Sequence, residues 1–297
     1  MHPNIVILAG GVSSRMKKSA EHSIGVEPSL LREAQVKSKA MLGVGNGSRP
    51  FLDYLLFNVD QAGYRNLVIV VSESDNSIRE YYKREQAARQ FKQLSISYAV
   101  QPIPVGRTKP LGTADALLRA LQSMPSWKGQ SFTVCNSDNL YSRNALRLLL
   151  DDDHEHALID YDRAGLQFNQ ERIAQFAVTK KDSQGFLMDI IEKPTEEEIR
   201  GAADRHGRIG VSMNIFKCSY DSILPYLESA PLHPVRGEKE LPVAVRTLTA
   251  EHPRSVYTLP LSEHVIDLTS FGDIPAVKEY LAKEFPQFPT RRDLENL

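Results

Sequence analysis

A run of apolar, mostly β-branched residues, Ile5-Val6-Ile7-Leu8-Ala9, stops at Gly10 and Gly11. Unbroken runs of this kind suit a strand covered on both faces, and glycines after it let the chain turn tightly. This feature constrains the fold most, because hiding both faces of a strand takes a sheet with helices on each side. The signal recurs at 67–71, 96–100 and 131–135, with helical stretches between them at 51–59, 77–91 and 113–121. Such alternation predicts βαβ units and a mostly parallel sheet.

Beyond Asp138 the pattern loosens. Strands are expected at 157–161, 173–179, 186–191, 209–216 and 256–259, and helices at 142–150, 196–203, 220–227, 238–248 and 275–284. The second half is therefore expected to add antiparallel strands and short helices to the same sheet. No internal repeat, low-complexity tract or flexible linker divides the chain. The reading is one catalytic domain over 1–285, with a nucleotide-binding half (1–140) and a substrate-shaping half (141–285), and a Pro-marked polar extension at 286–297.

The 36 basic and 37 acidic side chains nearly cancel. That balance gives no global pull toward nucleic acid or an anionic membrane, so an anionic ligand has to be held locally. Cys135 and Cys218 each sit in an apolar stretch, which fits buried thiols in a reducing compartment better than a disulfide. The first residues lack a basic leader region, and the 5–9 run is too short for a signal core or a membrane span. A cytoplasmic protein is expected, and assembly into a homo-oligomer is left open.

After the first strand comes Gly10-Gly11-Val12-Ser13-Ser14-Arg15-Met16. Glycines let backbone N–H groups approach phosphate oxygens, serines add donors, and an arginine grips two oxygens while staying charged. The string is neither a Walker loop nor a dinucleotide fingerprint. Leu8-Ala9-Gly10-Gly11 followed by Arg15-Met16 resembles the opening signature of the nucleotidyltransferases that activate sugar 1-phosphates. Later segments agree in order. Lys39-Ala40-Met41-Leu42 and Pro50-Phe51-Leu52 resemble that family's Lys-Pro-Leu pair. Leu111-Gly112-Thr113-Ala114 resembles its base-contacting segment, and Asn136-Ser137-Asp138-Asn139 its metal motif. Glu192-Lys193-Pro194 resembles its sugar-side motif, and Val265-Ile266-Asp267-Leu268-Thr269 a second metal motif. This chain departs from the pattern at Ser137, where glycine is usual, and at His264, where tryptophan is usual. It also carries extra residues over 17–38, expected to form an insertion with a short helix near 30–35 and to act as a mobile flap.

The resemblance implies a single Rossmann-like (GT-A-like) α/β domain with a mixed, mostly parallel sheet. It implies transfer of a nucleoside monophosphate from a nucleoside triphosphate to a sugar 1-phosphate, with Mg²⁺ held by Asp138 and Asp267. Arg15 and Lys39 would carry phosphate charge, with Lys37 an alternative for Lys39. Leu8, Gly10, Gln101 and Gly112 would read a pyrimidine edge, and Ala9, Gly11, Ser13, Ser14 and Thr113 would complete the nucleotide site. Glu192, Lys193 and Asn214 would meet the sugar phosphate. Blander roles compete: Asp138 could cap the helix at 142, Asp267 could brace a turn, and Gln101 and Asn214 could be ordinary hydrogen-bonded residues. The acidic and histidine run at 151–156 reads as a solvated turn, since consecutive side chains do not easily converge on one ion. Two other functions remain open: transfer to a non-sugar phosphate, and a non-catalytic sensor of nucleotide sugars.

Overall fold

In a computed structural model of the chain, residues 3–13, 16, 17, 27–74, 76–84, 91, 93–286 and 288 are described. The first strand, β1 (Asn4–Leu8), pairs in parallel with β2 (Asn66–Ser72) on one side and with β4 (Ser131–Asn136) on the other. Beyond β2 lies β3 (Ser95–Gln101), also parallel. Period-two alternation explains the apolar run: Ile5 and Ile7 enter the core on one face, Val6 and Leu8 the core on the other. No residue of β1 is more than 8% exposed.

The helices of the first half are α1 (Pro28–Val36), α2 (Phe51–Ala62), α3 (Ser77–Tyr82), α4 (Thr113–Ser123) and α5 (Arg143–Asp151). Helix α2 stops at Gly63, whose left-handed φ of 106° is the usual helix-ending conformation. Its Asp53 is fully buried, pairs with Arg49 at 2.8 Å and accepts from Tyr81 and Tyr82. The helix expected at 77–91 ends at Tyr82, with Lys83 and Arg84 outside it, and 85–90 and 92 lie outside the described residues. Helix α1 falls where a short helix was expected in the 17–38 insertion and buries Leu30 and Ala34, while 18–26 lie outside the described residues.

In the second half, β6 (His156–Asp162), β9 (Gly210–Ser219) and β10 (Val256–Leu261) extend the sheet to the order β10-β6-β9-β4-β1-β2-β3. Strand β9 runs antiparallel to both neighbours, and a hairpin of β7 (Val178–Lys181) and β8 (Leu187–Ile191) joins its start. Two expected elements are corrected. The 173–179 strand begins only at Val178, because Asn169 accepts the Arg172 N–H at 2.8 Å and caps a helical turn, α6 (Gln170–Ile173). The 238–248 helix begins at Leu241, since 238–240 are drawn into a strap described below. The remaining helices are α7 (Glu196–Gly201), α8 (Tyr220–Ser229), α9 (Leu241–Glu251) and α10 (Ile274–Glu284).

A separate two-stranded ladder, β5 (Asn139–Leu140) with β11 (Ile266–Asp267), stands just past the end of β4. Of the expected extension at 286–297, Phe288 is buried against Tyr54, with ring centroids 4.8 Å apart, and under the Arg49 guanidinium. Residues 289–297 lie outside the described residues. Among the described residues no helix is long and apolar enough to cross a membrane.

Candidate active site

The carboxyl ends of β1, β3 and β4 deliver Leu8, Gln101 and Asn136 to one cavity of about 380 Å³. Open parallel sheets place ligands at this edge, because loops and helix N-termini gather there. Ala9, Gly10, Gly11 and Ser13 continue the lining from β1. A Cβ added at Gly10 would lie 2.9 Å from Gln101 Oε1, so the glycine is what permits that close approach. Gly11 has no heavy atom within 4 Å of such a Cβ and needs no glycine for space. Ser13 has a left-handed φ of 55°, and its hydroxyl accepts the Lys39 N–H at 3.1 Å. That bond fixes the start of the lysine's own turn. Ser14 and Arg15 lie outside the described residues.

Lys39 and Asp138 line the cavity together, and the lysine Nζ donates to Asp138 Oδ2. Lys37 instead pairs with Glu33 on α1 at 2.7 Å and stays off the cavity wall. Asp138 does not cap the following helix; Ser142 does, accepting the Ala145 N–H at 3.0 Å. The β5–β11 ladder brings the second aspartate alongside. Asp267 stands opposite Asn139, and the Leu268 N–H donates to the Asp138 carbonyl at 2.8 Å. Asp267 accepts from Thr269 at 2.6 Å and from Arg172 at 2.5 Å. It is not itself on the cavity wall, which Thr269 reaches instead.

Burial first, and the nearby Asp138 charge second, push the Asp267 carboxyl above its ordinary range. A hard divalent cation with oxygen ligands would relieve the repulsion between the two carboxylates. The pair therefore fits Mg²⁺, with Lys39 and Arg172 as its competitors for the carboxylates. No group of three or more acidic, histidine or cysteine side chains among the described residues forms a complete metal shell. The 151–156 run does not form such a group: Asp151 pairs with Arg147 at 2.5 Å, and Asp152 accepts from the His154 N–H at 3.0 Å.

On the side of β3, Gly112 has φ 103° and ψ −171°, a region open essentially to glycine. A Cβ there would meet the Lys239 carbonyl oxygen at 2.5 Å and Glu238 Cβ at 2.9 Å. Thr113 also lines the cavity, but its hydroxyl accepts the Leu241 N–H at 2.9 Å and so ties α4 to α9. Gln101 is 2% exposed.

Across the cavity, Glu192 lies just past β8, where enclosure by the cleft and then the charge of Glu240 raise its carboxyl. Lys193 is exposed, has a left-handed φ of 47° and lies off the cavity wall. Asn214 reaches the wall because β9 bulges there, with φ 55° at Asn214 and a register shift against β6. Tyr141 braces the bulge, its hydroxyl donating to the Met213 carbonyl at 2.7 Å.

Sequence reasoning missed Lys109, Arg236, Glu238 and Glu240, all of which line the cavity. They belong to a strap that crosses from the second half to the loop after β3. Glu238 pairs with Lys109 at 2.6 Å, Lys239 exchanges backbone bonds with Leu111 and Ala114, and Arg236 pairs with Glu240 at 2.5 Å. The available signal was the charged string Arg236-Gly237-Glu238-Lys239-Glu240, which has no apolar period.

Residues 34–224 match the family model described as nucleotidyl transferase. Among curated proteins, the glucose-1-phosphate adenylyltransferase of Koribacter versatilis (strain Ellin345) is 23% identical over 225 residues, 75% of this chain and 49% of that protein. The bifunctional protein GlmU of Staphylococcus haemolyticus (strain JCSC1435) is 24% identical over 255 residues, 85% of this chain and 46% of that protein. The chain thus spans about half the length of the curated relatives it matches. Among solved structures, UDP-glucose pyrophosphorylase from Acinetobacter baumannii superposes with a TM-score of 0.68 at 17% identity, covering 97% of this chain and 95% of that one. It has the same mixed sheet flanked by helices. Because the family model covers most of the sheet and the glycine turn stands beside the Lys39–Asp138 pair, the chain belongs to the nucleotidyl transferase family.

Proposed function

We propose that this protein transfers a nucleoside monophosphate from a nucleoside triphosphate to a sugar 1-phosphate and releases pyrophosphate. The observation that carries the reading is the contact of Lys39 with Asp138 on the wall of a glycine-lined cavity, with Asp267 beside them across the β5–β11 ladder. The names of two similar proteins, a glucose-1-phosphate adenylyltransferase and a UDP-glucose pyrophosphorylase, describe this class of reaction.

An oxygen of the acceptor phosphate forms a bond to the α-phosphorus while the bond from that phosphorus to the β-phosphate oxygen breaks. Both reactants are anions, so the main barrier is charge repulsion at the α-phosphate. Lys39 is placed to exchange its Asp138 contact for phosphate oxygens, and Arg15 is assigned the triphosphate by its place in the loop. No general base is needed, because the acceptor phosphate is ionised at neutral pH. Asp138 and Asp267 would hold Mg²⁺, which supplies charge neutralisation at the phosphates when bound. Leu8, Gly10, Gln101 and Gly112 would surround the base, and Glu192 and Asn214 the sugar.

Pyrophosphate release measured over a grid of nucleoside triphosphates and sugar 1-phosphates with Mg²⁺ tests the reading. Turnover by at least one pair is expected. Turnover only with alcohol phosphates in place of sugar phosphates would move the acceptor class, and silence across both sets would refute the reading.

A further inference from the structure

The end of β3 holds an amide whose orientation is set by its neighbours. Gln101 Nε2 donates to the Gly112 carbonyl at 2.8 Å and to Asp115 Oδ2 at 2.9 Å. A carbonyl oxygen and a carboxylate both only accept, so the nitrogen end of this amide must face them. The oxygen end, Oε1, is left beside Gly10 on the cavity wall. Asp115 cannot turn away, because its other oxygen is held by Arg119 at 3.2 Å and the residue is 3% exposed.

We infer that Asp115 sets the base selectivity of the site by locking Gln101 as a pure hydrogen-bond acceptor toward the nucleotide. The inference rests on the proposed nucleotide site and deepens it. Facing a fixed carbonyl oxygen, a base must offer hydrogen. Uracil, thymine and guanine carry a ring N–H at the middle of their pairing edge. Adenine and cytosine carry a bare ring nitrogen there, whose lone pair opposes that of Oε1; their amino group lies to one side, so they can donate to Oε1 only by shifting along that edge in the slot. Asp115 touches no ligand itself; it is a positioning residue that acts through Gln101. The locked state also costs no reorganisation on binding, since the two donor bonds are already made in the free protein.

Replacing Asp115→Asn tests the lock. Arg119 would keep the new side chain's oxygen, which turns its NH₂ toward the Gln101 nitrogen; only the Gly112 carbonyl then still holds the native orientation, so the amide also samples the flipped one that presents donors to the cavity. The measurement is calorimetric binding of UTP, dTTP, GTP, ATP and CTP, each with Mg²⁺, to the full chain. The wild type is expected to bind the three ring-N–H nucleotides about tenfold or more tighter than ATP and CTP, as one mismatched buried hydrogen bond costs on that order. In Asp115→Asn that ratio should collapse toward one, whereas a merely structural loss would weaken all five alike. Gln101→Met, which removes the acceptor without touching Asp115, should collapse the ratio too, and Asp115→Ala, which removes one of the two anchors without adding a misplaced donor, should lower it and covers the case in which Asp115→Asn does not fold. A wild type that favours ATP or CTP, or variants that keep the wild-type ratio, would overturn the inference while leaving the functional reading intact. Failure of all five nucleotides to bind would overturn both.

Discussion

On the β3 side the cavity is lined by main chain and small residues, Leu8, Gly10 and Gly112, packed against a buried glutamine. On the β8 side it is lined by ionisable side chains, Glu192, Arg236 and Glu240, carried on loops or at an element's start. On the proposed function the first wall would select by shape and by fixed hydrogen bonds, and because it packs into the core, altering it should cost stability. On the same proposed function the second would select by charge and hydrogen bonds that solvent also reaches, so altering it should cost acceptor binding while sparing the fold. Asp138 and Lys39 stand where the two walls meet.

The largest effect belongs to that junction. Asp138→Asn should lower kcat by roughly a hundredfold or more at little cost in thermal midpoint, since it removes charge control at the reacting phosphorus. Lys39→Met should act similarly, and the double variant should fall short of the summed losses because the pair is in contact. Pyrophosphate-release kinetics on the two single variants and the double variant measure this. Additive losses would mean that the two residues work apart.

Within the shape-selecting wall, Gly112→Ala should cost about 1–3 kcal/mol in urea unfolding, since the added carbon meets backbone in a φ/ψ region that alanine avoids. Gly11→Ala should stay within about 0.5 kcal/mol of wild type, having open space. Equal effects at the two glycines would break the distinction between packed and open parts of the cavity wall.

Asn214 separates conformation from recognition. Its left-handed φ is tolerated by asparagine and glycine but costs alanine about 1 kcal/mol. Asn214→Ala should therefore lose both stability and acceptor affinity, whereas Asn214→Gly should keep the stability and raise only the acceptor KM. A normal KM in Asn214→Gly would show that the bulge, and not the amide, serves the acceptor.

The smallest effect is electrostatic. Glu192 has its carboxyl raised above the ordinary 4.5 by desolvation in the cleft and then by Glu240. A raised acid holds its proton longer in the folded than in the unfolded chain. Its contribution to stability is thus complete below 4.5 and is lost as pH rises through the raised value. Glu192→Gln should remove that decline, read as a flatter stability profile above pH 4.5, and only slightly, because solvent screens the group. An unchanged profile would take Glu192 out of the electrostatic wall.

The parts of this site that sequence reveals are those set by local rules. An apolar run buried on both faces, a glycine stop and an aspartate just past another strand are consequences of neighbouring residues, and β1, Gly10 and Asp138 fall where those rules place them. The strap does not follow such rules. Arg236, Glu238 and Glu240 reach the cavity because Glu238 pairs with Lys109, and Lys239 with Leu111 and Ala114, more than a hundred residues earlier. Likewise Lys37 and Lys39 look equivalent in sequence and differ only because α1 offers Glu33 to the first and β4 leads to Asp138 for the second. The helical turn at Gln170–Ile173 was obscured because the apolar residues after it resemble a strand until the Asn169 cap is seen.

Asp138 and Asp267 are proposed to hold one divalent cation at the phosphates. Paramagnetic resonance of Mn²⁺, titrated into wild type, Asp138→Asn and Asp267→Asn in the presence of a non-reacting triphosphate analogue, tests it directly. The account predicts one tightly bound ion in the wild type and a loss of affinity of about tenfold or more in each variant. Mn²⁺ bound equally well by all three proteins would contradict it.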